Sequence, residues 1–153
     1  MNSEMLEIMK NKKGFIAALD QSGGSSSKTL AKYGISENEY NSEEEMFDLI
    51  HEMRKRVFTS KEFTNDKIIG TILFEKTMLS KVNDEFTSNY LWNEKKIVSF
   101  LKVDKGSEEE KNGVKLMKPI SDLSNKLSYN NKFLIEYTLD VISKCNFKDK
   151  VIV

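Results

Sequence analysis

The stretch that most constrains this chain is a short apolar run that ends at an acid and then at a glycine-serine turn. Residues 14–25 read GFIAALDQSGGS. Apolar residues that run unbroken between a glycine and an aspartate are typical of a strand covered on both faces, as in a parallel sheet. In parallel α/β folds the functional groups collect at the carboxyl ends of the strands. The pattern therefore predicts a buried strand over residues 14–20 that delivers Asp20 to a site.

The turn after Asp20 has the composition of an anion-binding loop. Its two glycines allow tight backbone conformations, and Ser22 and Ser25 add hydroxyls beside backbone N–H groups that can hold an oxyanion such as phosphate. The alternative is a plain turn, since glycine-serine turns after strands are common. A P-loop is excluded by spacing, because its two required glycines would fall at Ser22 and Ser27. An acid beside an anion-binding loop suggests a phosphorylated substrate.

The pattern of an apolar run followed by polar residues recurs twice. Residues 68–74 read IIGTILF and end at Glu75, and residues 98–106 read VSFLKVDKG. In this third predicted strand Lys102 interrupts the apolar run, and a buried ammonium is normally paired or functional. The alternative is an edge strand whose solvated face carries Lys102 and Asp104.

Helical patterns separate the three predicted strands. Residues 43–57 form the clearest predicted helix, residues 26–33 can form a second that ends near Gly34, and residues 77–92 are predicted to be helical in pieces. Strands that alternate with crossover helices predict an α/β fold with a parallel sheet.

Two kinds of charged residue in the predicted helix over 43–57 have a simple structural interpretation. Arg54 and Arg56 lie near its carboxyl end, where the helix dipole favours cations. His51 is expected to be a surface or rim histidine, and a metal-ligand role is not expected because the sequence offers no second histidine.

Composition excludes several classes of partner. The 24 basic and 24 acidic residues balance, so no basic field argues for nucleic acid or an anionic membrane. A single cysteine fits a reducing compartment, and the absence of an 18-residue apolar run argues against a membrane-spanning helix. A cytoplasmic protein is therefore expected. The single histidine argues against a multi-histidine zinc site.

Three stretches together resemble class I fructose-bisphosphate aldolase, and most closely its bacterial branch. They are residues 14–25, residues 72–77 (ILFEKT) and residues 100–106 (FLKVDKG). Gln21 in place of the glutamate that follows the aspartate, the Gly23-Gly24 pair and residues 112–120 (NGVKLMKPI) fit that branch. The resemblance covers roughly residues 1–125 with few gaps.

The resemblance implies a (β/α)8 barrel and a metal-free, cofactor-free reaction of glycolysis and gluconeogenesis. Fructose 1,6-bisphosphate is cleaved reversibly to glyceraldehyde 3-phosphate and dihydroxyacetone phosphate. A lysine attacks the ketone, and the resulting iminium accepts electrons as the C3–C4 bond breaks. By position, Asp20 resembles the aspartate that contacts the reacting hydroxyl and assists proton transfer. Ser22, Ser25 and Lys102 resemble residues that hold the substrate's far phosphate.

The later motifs of the family have no counterpart in the sequence. Its Schiff-base lysine belongs to a sixth strand, and residues 126–153 resemble none of the expected segments. We therefore expect a truncated aldolase, inactive alone: a partial (β/α)8 TIM barrel with about three βα units over residues 1–125, followed by an unmatched tail over 126–153. Three parallel strands cannot close, so an open edge and a tendency to aggregate are also expected.

Two alternatives from other functional classes stay open. One is a non-catalytic half-barrel that binds sugar phosphate or pairs with a full-length or complementary aldolase chain. The other is a small α/β enzyme in which Asp20 and Lys102 form an acid-base pair. Binding of phosphate esters that is lost on Lys102→Ala would favour the first, and turnover by the purified chain would favour the second.

Overall fold

Helices and strands alternate along the part of the chain that the structure describes. The computed structural model describes residues 3–21, 24–103, 106–116 and 118. The elements in chain order are α1 (Ser3–Asn11), β1 (Phe15–Leu19), α2 (Gly24–Lys32), a 3-10 turn (Glu37–Glu39), α3 (Glu43–Thr59), β2 (Ile68–Leu73), α4 (Glu75–Leu79), β3 (Lys81–Val82), β4 (Glu85–Phe86), α5 (Thr87–Lys95) and β5 (Val98–Leu101).

The three predicted strands form one parallel sheet with the order β1-β2-β5. Leu19 pairs with Leu73, and Leu73 pairs with Leu101, so the three strands end level with one another. The predicted parallel α/β arrangement is confirmed. A three-stranded parallel sheet with its helices is consistent with part of a (β/α)8 barrel.

The third strand is shorter than the sequence predicted. β5 ends at Leu101, so Lys102 follows the strand and does not lie within it. The reason is that its partner β2 ends at Leu73, where the last backbone hydrogen bond of the pair runs from Lys102 N to Leu73 O at 2.9 Å. Asp104, which was predicted to share a face with Lys102, lies outside the described residues.

The larger core packs on one face of this sheet. Leu73 and Leu101 point to that face, as expected for residues paired across neighbouring strands, and both are buried. Phe58 of α3, Met78 of α4 and Leu91 of α5 pack against them. Helices α3, α4 and α5 therefore pack against this side of the sheet.

The long helix α3 contains a row of buried residues that includes an arginine. Its start is capped as expected, because the Ser42 hydroxyl accepts a hydrogen bond from Glu45 N at 3.1 Å. The buried positions of α3, at a spacing of four, are Met46, Ile50, Arg54 and Phe58. The sequence placed Arg54 near the carboxyl end of this helix but did not predict that it is buried. None of the described helices is both long and apolar enough to cross a bilayer.

The segment predicted to be helical in pieces contains a small hairpin between α4 and α5. β3 and β4 pair antiparallel, and Asn83 and Asp84 between them have positive φ angles of 48° and 67°. Such angles suit asparagine and aspartate in a tight hairpin turn. Phe86 lies in β4 and is 45% exposed.

Beyond β5 the described residues include a reversal of the chain. Lys111 N donates to Val114 O at 2.9 Å and Val114 N donates back to Lys111 O at 3.0 Å, around an Asn112-Gly113 turn. The predicted tail over residues 126–153 lies outside the described residues.

Candidate active site

An ion pair joins two of the four predicted site residues. Lys102 Nζ lies 3.1 Å from Asp20 Oδ2, and the two side chains are 29% and 25% exposed. Asp20 follows β1 and Lys102 follows β5, so the pair spans the end of the central strand β2. The alternative of an edge strand with a solvated charged face is met only in part, because β5 is an outer strand of the described sheet but Lys102 follows it and forms this ion pair.

The register of the sheet explains why these side chains meet. Each comes one residue after a core-facing leucine, Leu19 or Leu101, so strand alternation turns both toward the face opposite the core. Two outer strands with one strand between them are about 10 Å apart. A lysine side chain is long enough to reach a carboxylate across that distance, whereas a shorter cation would not be.

The predicted anion-binding loop is described only in part. Ser22 lies outside the described residues. Ser25 lies in the first turn of α2, where helix N–H groups lack intrahelical acceptors and the helix dipole favours anions. Its main-chain carbonyl accepts a hydrogen bond from the Thr29 hydroxyl at 2.8 Å. The neighbouring Ser26 is fully buried, and its hydroxyl has no hydrogen-bond partner among the residues described.

Arg54 is a residue of this region that the sequence analysis missed. Its Nη2 donates to the Gln21 main-chain oxygen at 2.7 Å and to Gln21 Oε1 at 3.1 Å. Its Nη1 donates to Thr77 Oγ1. The signal that could have identified it was its place on the same four-residue spacing as Met46 and Ile50, which puts it on the buried side of α3.

Burial changes the acid-base chemistry of Arg54. Desolvation lowers the pKa of Arg54 to about 10, and the negative charge of Asp20 acts in the opposite direction by favouring the cation. The guanidinium is therefore still protonated at neutral pH.

A second set of contacts fixes the start of α4 against α3. The rings of Phe47 and Phe74 are stacked with centroids 5.9 Å apart, and the Lys76 ammonium lies 4.0 Å from the centre of the Phe47 ring. His51 is half-buried, and its Nε2 donates to the Lys81 carbonyl at 2.9 Å. His51 therefore connects the β3-β4 hairpin to α3 through this hydrogen bond.

The family comparison covers all the residues of this site. Residues 2–128, well over half of the chain, match the family described as fructose-bisphosphate aldolase class-I. The matched region contains β1, β2 and β5 together with Asp20, Ser25 and Lys102. The resemblance found from three short motifs is confirmed, and the chain belongs to the class I fructose-bisphosphate aldolase family.

Proposed function

We propose that this chain provides the first part of a substrate site for the reversible aldol cleavage of fructose 1,6-bisphosphate to two triose phosphates. Membership of the family indicates an aldolase-type carbon-carbon lyase. The observation that carries the finer proposal is the Asp20–Lys102 ion pair at the carboxyl edge of the sheet. A place in cytoplasmic glycolysis or gluconeogenesis is part of the same proposal.

In the proposed mechanism the substrate phosphate takes the place of Asp20 beside Lys102. A phosphate oxygen accepts a charge-assisted hydrogen bond from the ammonium. Backbone N–H groups at the N-terminus of α2, near Ser25, are further donors suited to a phosphate. Asp20 is then released from its partner. Asp20 then accepts the proton of the C4 hydroxyl as the C3–C4 bond breaks. The electron pair of that bond passes to the iminium.

The iminium itself is not proposed to form on residues 1–153 alone. No lysine in the matched region takes the position of the family's Schiff-base lysine, and Lys102 is assigned to the phosphate. We propose that a polypeptide of these residues binds substrate without cleaving it. The nucleophile would come from the remaining strands of a complete barrel.

Direct titration tests whether the substrate-binding part is present. Fructose 1,6-bisphosphate and dihydroxyacetone phosphate are added to the purified chain in a calorimeter, with fructose as the matched ligand that lacks phosphate. Binding of both phosphate esters but not of fructose is the expected result. Equal heats for fructose and fructose 1,6-bisphosphate would contradict the proposal.

A second candidate function, pairing with another aldolase chain, is favoured by the uncovered side of β1. Phe15 and Ile16 are 54% and 43% exposed, and Ala18 beside them is also exposed. β1 is an outer strand of the described sheet, with a free edge on the side away from β2. An apolar strand with an open edge is a template for pairing with further strands.

The pairing proposal predicts that Ile16→Lys blocks association. A polypeptide carrying the remaining strands of a class I aldolase is expected to form a defined complex with the chain in analytical ultracentrifugation. A lysine on the exposed face of β1 should prevent this, because its charge would have to be buried. Tyr33→Lys is the control, since Tyr33 is 65% exposed at the end of α2. Association that survives Ile16→Lys would contradict the pairing proposal.

A further inference from the structure

One buried side chain connects the segments that follow β1 and β2 to the helix layer. Arg54 of α3 donates to two oxygens of Gln21, the residue immediately after Asp20, at 2.7 and 3.1 Å. It also donates to Thr77 of α4, the helix that follows β2. The ends of β1 and β2 are therefore tied to the same guanidinium.

This arrangement is a poor way to fill a core position. Arg54 is completely buried, its acceptors at Gln21 and Thr77 are neutral groups, and its Nε has no hydrogen-bond partner among the residues described. An apolar side chain of similar length would fill the same space without desolvating a charge. Desolvated charges of this kind are typical of functional sites.

The contact pattern indicates what the guanidinium does. Two hydrogen bonds to one residue fix both the backbone and the side chain of Gln21, and so restrict the backbone that carries Asp20. The Asp20 carboxylate also stabilises the cation of Arg54 electrostatically. A displacement of about 1 Å at a reacting group can cost about 100-fold in rate, so a fixed backbone at this point has a large functional effect.

We propose that Arg54 is a positioning residue, which holds the segment after β1 so that the Asp20 carboxylate stays at the site, beside Lys102 in the free protein and beside the substrate hydroxyl in the complex. The proposal rests on the proposed function of that pair. Gln21 completes the arrangement, since its main-chain and side-chain oxygens are the two acceptors that a single guanidinium nitrogen reaches.

Variants at Arg54 test this, with Arg56→Met as the matched control because Arg56 is exposed on the same helix. Arg54→Met is expected to weaken fructose 1,6-bisphosphate binding about fivefold and to change the ¹³C NMR signal of the Asp20 carboxyl carbon. Arg54→Lys keeps the charge and should recover part of the affinity. Arg56→Met should change neither readout.

Gln21→Met probes the same connection from the other side and leaves the buried arginine in place. It is expected to move the Asp20 signal in the same direction as Arg54→Met. In the double variant the two effects should be less than additive, because both remove the same interaction. This variant keeps the proposal testable if Arg54→Met does not fold.

The two readouts separate this proposal from the proposed function. If the unmodified chain binds no fructose 1,6-bisphosphate, the proposed function fails, and the Asp20 signal alone decides the role of Arg54. An unchanged Asp20 signal in both Arg54→Met and Gln21→Met would overturn the positioning role. So would a lower Tm with unchanged affinity in the folded Arg54→Met protein, which would show a purely structural residue.

Discussion

Lys102→Ala is expected to weaken the binding of fructose 1,6-bisphosphate to this chain by about 10- to 100-fold. Hydrogen bonds to charged groups contribute about 1.5–3 kcal/mol, and each 1.4 kcal/mol changes a dissociation constant tenfold. The Lys102 side chain is only 29% exposed, so its charge is screened less than that of a fully solvated lysine. Calorimetric titration of the two proteins measures the loss directly.

Lys55→Ala is the matched control for this substitution. Lys55 also forms an ion pair with a carboxylate, to Glu52 Oε1 at 3.3 Å, but both partners lie within α3. Its removal should leave the affinity unchanged. A loss of similar size in both variants would mean that Lys102 acts through net charge alone, and would contradict its assignment as a phosphate ligand.

Asp20→Asn is expected to act in the opposite direction and to tighten the binding of inorganic phosphate, by up to about tenfold at low salt. Asp20 Oδ2 lies beside Lys102 Nζ, so an anion must compete with a carboxylate that already neutralises the ammonium. Removing that charge removes the competition. The expected gain in binding free energy is near the lower limit of what a hydrogen bond to a charged group contributes.

Inorganic phosphate is the right probe for this variant, because Asp20 is also proposed to contact a hydroxyl of the sugar. The gain in affinity should shrink as salt rises, since screening weakens the Asp20–Lys102 attraction. Weaker phosphate binding by Asp20→Asn would contradict the proposed exchange of partners at Lys102. Opposite effects of Lys102→Ala and Asp20→Asn cannot arise from a general loss of folding.

The sheet and the ion pair at its edge could be predicted because they depend on patterns local to each strand. Each of the three strands is an apolar run that ends in polar residues, and parallel strands that end level place those residues together. The length of β5 could not be predicted in the same way. It depends on where its neighbour β2 ends, because Lys102 in the run VSFLKVDKG fits either the end of a strand or an interruption within a longer one.

Arg54 and the β3-β4 hairpin show the limits of local patterns in another way. An arginine near a helix end is usually solvated, and only the packing of α3 against the loops after β1 and β2 places this one inside. In the hairpin, Val82 and Tyr90 have helical spacing with Met78, yet the turn at Asn83 and Asp84 reverses the chain between them. Arg54 follows the four-residue spacing of the buried side of α3 despite its charge, whereas the hairpin turn interrupts a helical spacing.

The central claim is that residues 1–153 carry part of an aldolase substrate site without its nucleophile, and trapping of the iminium tests it most directly. The purified chain is incubated with fructose 1,6-bisphosphate, reduced with borohydride and analysed by intact mass, beside a full-length class I aldolase as the positive control. We expect an adduct on the control only. A triose- or hexose-phosphate adduct on this chain, mapped to one lysine and blocked by competing substrate, would contradict the claim.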